Sequence, residues 1–426
     1  MTLSAPGWAI RSRLPEVARR IDRSLEDAGL PPLERLAWAE VDIDQLVANA
    51  SALRSHASPY ALGAVVKADG YGHGLEMAAR CAVTGGAEWL CVADAGEAIR
   101  LRSDGYEGRV LVLYPVPPAL VATMAVNSID VTVGSLEQAR AMGDLLSPDN
   151  PTLSVHVEID TGMTRGGVAP GDALSTVTTL IAGGGTTLGG VWTHLAAPET
   201  PTTTATQLSR FDEVLSGLAA ADVDPGVVHA AASGGMLASE TSSHDLVRPG
   251  LAYYGLRPVA ETSLPFEVGP ALSVRALPVR IAQVTPGTAV GYAGTWIAAR
   301  QSTIVTLPIG YADGWSRVSS PGGFALVNGE RAPLVGRVSS DSLAIDVTGV
   351  SDVSGNSVFT LLGEDGDAEI NAEEVAGVRG TITWEVLQQL GSRLSRVYIS
   401  RGSPVALRPE SSLTVITAPG VVTPAY

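Results

Sequence analysis

Lysine is almost missing from this chain: of its 28 basic residues only Lys67 is a lysine, and the other 27 are arginine. Codon bias toward arginine explains the 27 but not the exception. Cysteine is nearly as scarce, with Cys81 and Cys91 alone, which leaves no disulfide framework and no zinc-ligand spacing. Both are expected to act as small buried hydrophobes in a reducing compartment. Long apolar runs are lacking too. No stretch reaches the ~18 apolar residues of a membrane helix. The N-terminal "MTLSAPGWAIRSRLPEVARRIDRSLEDAGL" has no uninterrupted apolar core of the kind a secretory signal needs. These absences predict a soluble, cytoplasmic protein. Net positive charge is absent as well: at −16, nucleic acid and anionic membrane are excluded as main partners.

What is present is apolar content, 45% hydrophobic against 17% charged, enough for a large core and inconsistent with disorder. Residues 14–29 space Val17, Ile21 and Leu25 at helical intervals, predicting an amphipathic helix in an N-terminal extension, residues 1–36. From Ala37 short β-branched runs alternate with Ala/Leu-rich stretches. The expected strands are Leu62–Lys67, Glu88–Val92, Arg109–Leu113, Asp130–Val133, Leu153–Ile159, Leu188–Thr193, Val227–His229 and Leu246–Val247. Helices are expected at Glu76–Val83, Ala95–Arg102, Leu136–Leu146 and Thr204–Ala221. About eight β-then-α units in roughly 200 residues is the pattern of a (β/α)8 TIM-type barrel, here residues 37–258. A doubly wound sheet is the alternative, but no glycine-rich dinucleotide fingerprint follows the first strand. Residues 259–402 read as a mainly β domain, with Asn328-Gly329 as a two-residue hairpin turn and one helix near Thr383–Leu390. Residues 403–426 are rich in Ser, Pro and Thr, and are expected to form a partly mobile tail.

Barrel active sites lie at the C-terminal ends of the strands. Lys67 ends the first strand, just ahead of "ADGYGHG". A salt bridge there is served at least as well by arginine. A Schiff base needs a primary amine, which arginine does not have. In a chain otherwise built on arginine, the Schiff base is the preferred explanation.

The segment "AVVKADGYGHG" resembles the pyridoxal-phosphate attachment motif of bacterial alanine racemases. The resemblance continues, in order, through "EIDTGMTRGG", "VWTHLAA", "VRPGLAYYGL", "AVGYAGTW", "LPIGYADGW" and "VGRVSSDS", covering about Ala37 to Gly402. It implies a homodimeric racemase with composite active sites, most simply one that makes D-alanine for cell-wall synthesis. By this resemblance Lys67 holds pyridoxal phosphate, Tyr71 hydrogen-bonds its phosphate, and Ser233 with the backbone of Gly250 and Leu251 cradles that phosphate. Arg248 faces the pyridine nitrogen. Arginine is effectively always protonated, so it donates no proton to the ring, and the weaker electron sink suppresses side reactions. Racemisation needs a base on each face of the α-carbon. The resemblance names Lys67 and, across a subunit interface, Tyr292, supported by His194 and Arg248. Arg165 holds the cofactor's phenolic oxygen and the substrate carboxylate. Tyr311, Ser340 and Asp341 belong to the substrate entrance and carboxylate site.

The chain departs from the family in three places. Glu158 stands where many members carry a carbamylated lysine, and is expected to pair with Arg165. Ser340 replaces a methionine, predicting a roomier pocket that admits serine or another amino acid larger than alanine. Ser392 and Ala232 replace a phosphate-binding tyrosine and an asparagine, predicting weaker cofactor retention. Two other functions compete. A decarboxylase or aldolase of related fold does not need Tyr292 opposite Lys67. A pyridoxal-phosphate-binding homeostasis protein, which is not an enzyme, lacks the β-rich domain.

Overall fold

A computed structural model of the chain describes residues 18–146, 151–182, 184–238, 242–258, 265–410 and 412–426. Its barrel strands are β2 (Ala61–Val65), β3 (Trp89–Val92), β4 (Arg109–Val112), β5 (Val131–Val133), β6 (Leu153–Glu158), β7 (Thr186–Trp192), β8 (Val227–His229) and β9 (Leu246–Val247). They follow one further strand, β1 (Ala37–Asp42). The barrel strands form two parallel sheets, ordered β4-β3-β2-β9 and β5-β6-β7-β8. Single bridges, Leu111–Asp130 and Ala232–Arg248, join the sheets on either side and close the barrel. Parallel strands buried on both faces read as continuous apolar runs: Trp89–Val92 and Val110–Val112 are buried throughout. Several crossover helices begin at side-chain caps. Asp94 accepts the Glu97 N–H at 3.0 Å and Ser135 accepts the Gln138 N–H at 3.1 Å, each cap contributing about 1 kcal/mol.

Strand β1 pairs outside the barrel. It runs antiparallel to Leu272–Ala276 and parallel to Ser395–Ser400, inside a sheet of 12 strands. The boundary expected at residue 37 therefore leaves on the barrel side a strand that pairs with the C-terminal sheet. Ala37, Trp38, Ala39 and Val41 are all buried, so burial pattern alone does not say which sheet they join. The Asn328-Gly329 turn has φ of 52° and 77°, the paired left-handed values of a primed hairpin turn, and it connects Phe324–Val327 to Glu330–Val335.

Two elements differ from expectation. A second helix, Ala372–Arg379, precedes Thr383–Gln388. Its sequence "AEEVAGVR" is Ala/Gly-rich and carries little periodicity, but Asn371 caps it by accepting the Glu374 N–H at 2.8 Å. The tail contains paired strands: Ser403–Arg408 pairs antiparallel with Ser395–Ser400, and Ile416–Thr417 pairs with it in turn. Tyr426 Oη donates to Asp104 at 2.8 Å. Backbone pairing overrode a composition that read as loop. Helix Ala18–Asp27 forms as expected, with Ile21 and Leu25 against Trp38, Val397 and Leu407; Val17 lies outside the described residues. Both cysteines are free and buried. Among the described residues no helix is long and apolar enough to cross a membrane.

Candidate active site

The chain leaves β2 through a left-handed turn. Ala68, Asp69, Gly70 and Tyr71 have φ of 53°, 55°, 61° and 49°, and a non-glycine residue in that region costs about 1–2 kcal/mol. Such a turn persists only where its surroundings over-determine it. Asp69 accepts two hydrogen bonds from Arg408, at 2.8 and 2.7 Å, one from the Leu75 N–H at 3.1 Å, and one from Arg100 at 3.3 Å. Glu97 accepts the Asp69 and Ala93 N–H groups at 3.3 and 2.9 Å. Buried His73 holds Nδ1 at 3.1 Å from the carbonyls of Gly70 and Tyr71, so the proton is on Nδ1. Gly72, with φ of 81°, seats the turn on helix Thr383–Gln388; a Cβ there lands 2.5 Å from the Leu387 carbonyl oxygen. The Tyr71 ring stacks on Tyr254 at 4.8 Å, and Tyr254 Oη donates to the Val65 carbonyl at 3.1 Å.

This scaffold fixes Lys67 and Tyr71 at the C-terminal ends of the barrel strands. Lys67 Nζ lies 5.9 Å from the ring centroid of Tyr114, and the Arg165 guanidinium carbon lies 5.7 Å from the same ring. Burial first, and the positive charge of Arg165 second, lower the Lys67 pKa, while Glu97 opposes them. A lysine with lowered pKa is a better-matched base near neutrality. Burial, with Tyr114 adding to it, raises the Tyr71 pKa to about 12, so its phenol stays protonated and can donate.

Facing Tyr71 are the loops after β8 and β9. Ser233 Oγ accepts the Gly250 and Ala252 N–H groups at 3.0 and 3.2 Å. The Leu251 N–H between them finds no acceptor among the described residues. A Cβ at Gly250 comes within 2.7 Å of Tyr71 Oη, so the hydroxyl overhangs bare backbone. Hydroxyls and unpaired backbone N–H groups after the last two barrel strands are the donor set of a phosphate site. Arg248 is buried. It donates to His229 Nδ1 at 2.6 Å and to the carbonyls of Thr193 and Ala230 at 3.0 and 3.2 Å. Its Nε–H is left without an acceptor among the described residues. Phosphate donors on one side, an arginine N–H on the other and a primary amine on the same barrel face fit pyridoxal phosphate.

Arg248 heads a chain that sequence reading missed. Arginine only donates, so His229 Nδ1 accepts and its Nε2 carries the proton. That proton points to His156 Nδ1 at 3.0 Å, and His156 Nε2 lies 3.6 Å from Asp130, beyond hydrogen-bond length. Burial and the Arg248 charge keep His229 neutral, far below its ordinary pKa. Trp192 covers Arg248 at 4.8 Å. His194 is also neutral, pressed to a pKa of about 3 by burial and then by Arg248, Arg165 and Lys67.

The expected Glu158–Arg165 pair is not a direct one. No ion pair within 4 Å joins them among the described residues. Glu158 instead lies under the Gly166-Gly167 turn, its Oε2 3.1 Å from where a Gly166 Cβ stands. Burial raises its pKa, with Arg165 and then Arg248 opposing through space. Arg165 is exposed, so solvent competes for its charge.

Apart from Ala232, the remaining expected residues lie in the C-terminal domain. The Tyr311 and Ala312 N–H groups donate to the Ser339 and Ser340 carbonyls, both at 3.0 Å, binding the entrance loop to the Ser339-Ser340-Asp341 segment. Asp341 accepts from Arg393 at 2.7 Å. Buried Asp313 accepts from Arg35 at 2.5 Å and from the Gly310 N–H at 2.9 Å. Tyr292 is 66% exposed, on the hairpin of Ala289–Val290 and Trp296–Ile297. Among the described residues of one chain no hydrogen bond, ion pair or ring contact ties it to the barrel residues. Ser392 is exposed, and Ala232 is half-buried.

Comparison with known proteins gives two family matches: the alanine racemase N-terminal domain over residues 41–258 and its C-terminal domain over residues 271–398. "Alanine racemase 2" of Oceanobacillus iheyensis is 36% identical over 87% of this chain and 95% of its own. The alanine racemase structure from Bacillus anthracis with bound L-Ala-P superposes with a TM-score of 0.85 at 35% identity, covering 89% of this chain and 98% of that one. A histidine racemase from Leuconostoc mesenteroides superposes at 0.80 and 29% identity, covering 86% and 99%. An alanine racemase from Bartonella henselae with covalently bound pyridoxal phosphate superposes at 0.77 and 29%, covering 85% and 99%. The chain belongs to the alanine racemase family, the pyridoxal-phosphate-dependent amino-acid racemases built from a barrel and a mainly β C-terminal domain.

Proposed function

We propose that this racemase interconverts the enantiomers of a small amino acid, alanine first, by proton exchange between Lys67 and the Tyr292 of a partner subunit. The observation that carries this reading is the Lys67 amine, its pKa lowered, held on a strained turn beside Arg165 and Tyr71. Tyr71, Ser233 and the Gly250–Leu251 backbone hold the phosphate of the cofactor, and Arg248 offers its Nε–H to the ring. Bound pyridoxal phosphate withdraws electrons from the substrate α-carbon and acidifies its proton. Lys67 takes that proton on one face. Tyr292, supplied by a second copy, returns a proton on the other, supported by neutral His194 and by Arg248. Arg165 orients the substrate carboxylate, and Tyr311, Ser340 and Asp341 shape its approach. The exposure of Tyr292 supports a homodimer with two composite sites. The family relationship supports a cytoplasmic supply of D-alanine for the cell wall.

A second substrate reading rests on Ser340. Serine in place of the family methionine leaves a smaller, polar side chain at the carboxylate site, which favours serine or a larger amino acid. Cofactor retention weaker than the family's is expected from Ser392 and Ala232. One assay separates the substrates: α-hydrogen exchange in deuterated water, with loss of optical rotation, over a panel of L-amino acids, repeated with Ser340→Met. Exchange confined to alanine in both proteins removes the second reading. Exchange with none of the panel removes both.

A further inference from the structure

One aromatic ring at the site serves two cations. Tyr114 stands two residues beyond the end of β4, and 41% of it is exposed. Lys67 Nζ and the Arg165 guanidinium carbon lie 5.9 and 5.7 Å from its centroid. Both distances fall within the roughly 6 Å over which a ring's quadrupole attracts a cation. The two cations repel each other, and neither has an ion pair within 4 Å among the described residues. The other titratable groups that act on Lys67 or feel its charge are Glu97 from helix Ala95–Ser103, Arg165 from the loop after β6, and His194 after β7. Of these only Glu97 favours the ammonium, and its carboxylate is already engaged by the Ala93 and Asp69 N–H groups.

We infer that Tyr114 is a positioning residue: its ring face holds Lys67 while the lysine carries the abstracted proton, and keeps Arg165 aligned beside it. This rests on the assignment of Lys67 as the base. In that step the substrate C–H bond breaks, its proton goes to Lys67 Nζ, and the electron pair stays with the substrate. The ring stabilises the charge that appears on Nζ at the moment Arg165 opposes it. Removing the ring makes Lys67 a weaker base and loosens Arg165.

The single lysine makes the test direct. Competitive acetylation of the full-length, cofactor-free protein across pH, read by mass spectrometry on the Lys67 peptide, reports the pKa of the only side-chain amine in the molecule. Tyr114→Leu is expected to lower that pKa by about 0.4–1.5 units, and Tyr114→Met, a second ring-free variant, by a similar amount. Tyr114→Phe is expected to stay within about 0.3 units of the parent, because the ring face remains. In the holoenzyme the acid limb of kcat then moves down with the ring-free variants, and KM rises as Arg165 loosens. A Lys67 pKa unchanged in both ring-free variants overturns the inference. So does Tyr114→Phe matching Tyr114→Leu, which assigns the effect to the hydroxyl. The labelling involves no turnover, so its outcome stands apart from whether the protein racemises amino acids.

Discussion

Replacing Arg408 with methionine removes two hydrogen bonds, 2.8 and 2.7 Å long, from Asp69. The Arg408 side chain is 2% exposed and that of Asp69 27%. Breaking a buried pair from one side costs roughly 3–5 kcal/mol. Asp69 keeps the Leu75 N–H at 3.1 Å, Arg100 at 3.3 Å and some water, so about 2–3 kcal/mol is expected. The turn it anchors has three non-glycine left-handed residues, Ala68, Asp69 and Tyr71, with an intrinsic cost of about 3–6 kcal/mol. Losing the anchor therefore releases the turn that places Lys67 and Tyr71. Burial works against the Asp69 carboxylate, but Arg408 first, then Arg396 and the Leu75 N–H, hold its pKa below the usual range. A depressed carboxylate pKa stabilises the fold above its unfolded value, ~4, and that contribution fades as pH falls through the folded value. The denaturant midpoints of parent and Arg408→Met should thus diverge at pH 7 and converge as pH falls through the depressed pKa of Asp69. Dialysis should strip cofactor from the variant faster, and Asp69→Asn should cost far less in the Arg408→Met background than in the parent. A variant within about 0.5 kcal/mol of the parent at pH 7, with undiminished cofactor retention, would refute the reasoning.

Three further outcomes follow from the same geometry. Gly250→Ala places a methyl 2.7 Å from Tyr71 Oη, crowding a hydroxyl of the phosphate site; cofactor affinity, read by absorbance titration, should fall by about tenfold or more. Arg35→Ala leaves the fully buried Asp313 carboxylate with Arg393 at 3.5 Å and the Gly310 N–H. It should cost about 2–4 kcal/mol in unfolding and raise KM more than it lowers kcat, with Arg35→Lys intermediate. Glu158→Gln removes a negative charge that reaches Arg165 only through space; substrate KM should rise a few-fold, and an unchanged affinity for substrate and carboxylate inhibitors would end that role.

The barrel was legible because its parallel strands are buried on both faces, so Val110–Val112 and Trp89–Val92 stand out as apolar runs between helices. Lys67 was legible because the chain contains no other lysine. Pairing partners were not: the AWAEVD of β1 looks like any half-buried strand, and nothing local says that its neighbours are Leu272–Ala276 and Ser395–Ser400. Arg408 was hidden in a segment whose composition reads as tail, although it supports the turn that carries Lys67. The left-handed conformation of Ala68, Asp69 and Tyr71 in "ADGYGHG" was not legible, because it depends on anchors far away in sequence. Tyr114, His229 and His156 carry no motif of their own. A barrel-strand end is the one signal that could have flagged Tyr114 and His229. Glu158 shows the converse: the sequence suggested a contact, and the exposed Arg165 does not make it.

In the proposed mechanism one amine both anchors the cofactor and moves the proton. Lys67→Arg tests it most directly, because no other side-chain lysine exists to substitute. With excess pyridoxal phosphate and alanine in deuterated water, the variant is expected to lose both racemisation and α-deuterium incorporation by at least about a thousandfold. Its circular dichroism should match the parent's. A folded Lys67→Arg protein that still racemises alanine at a tenth of the parent rate would contradict the account.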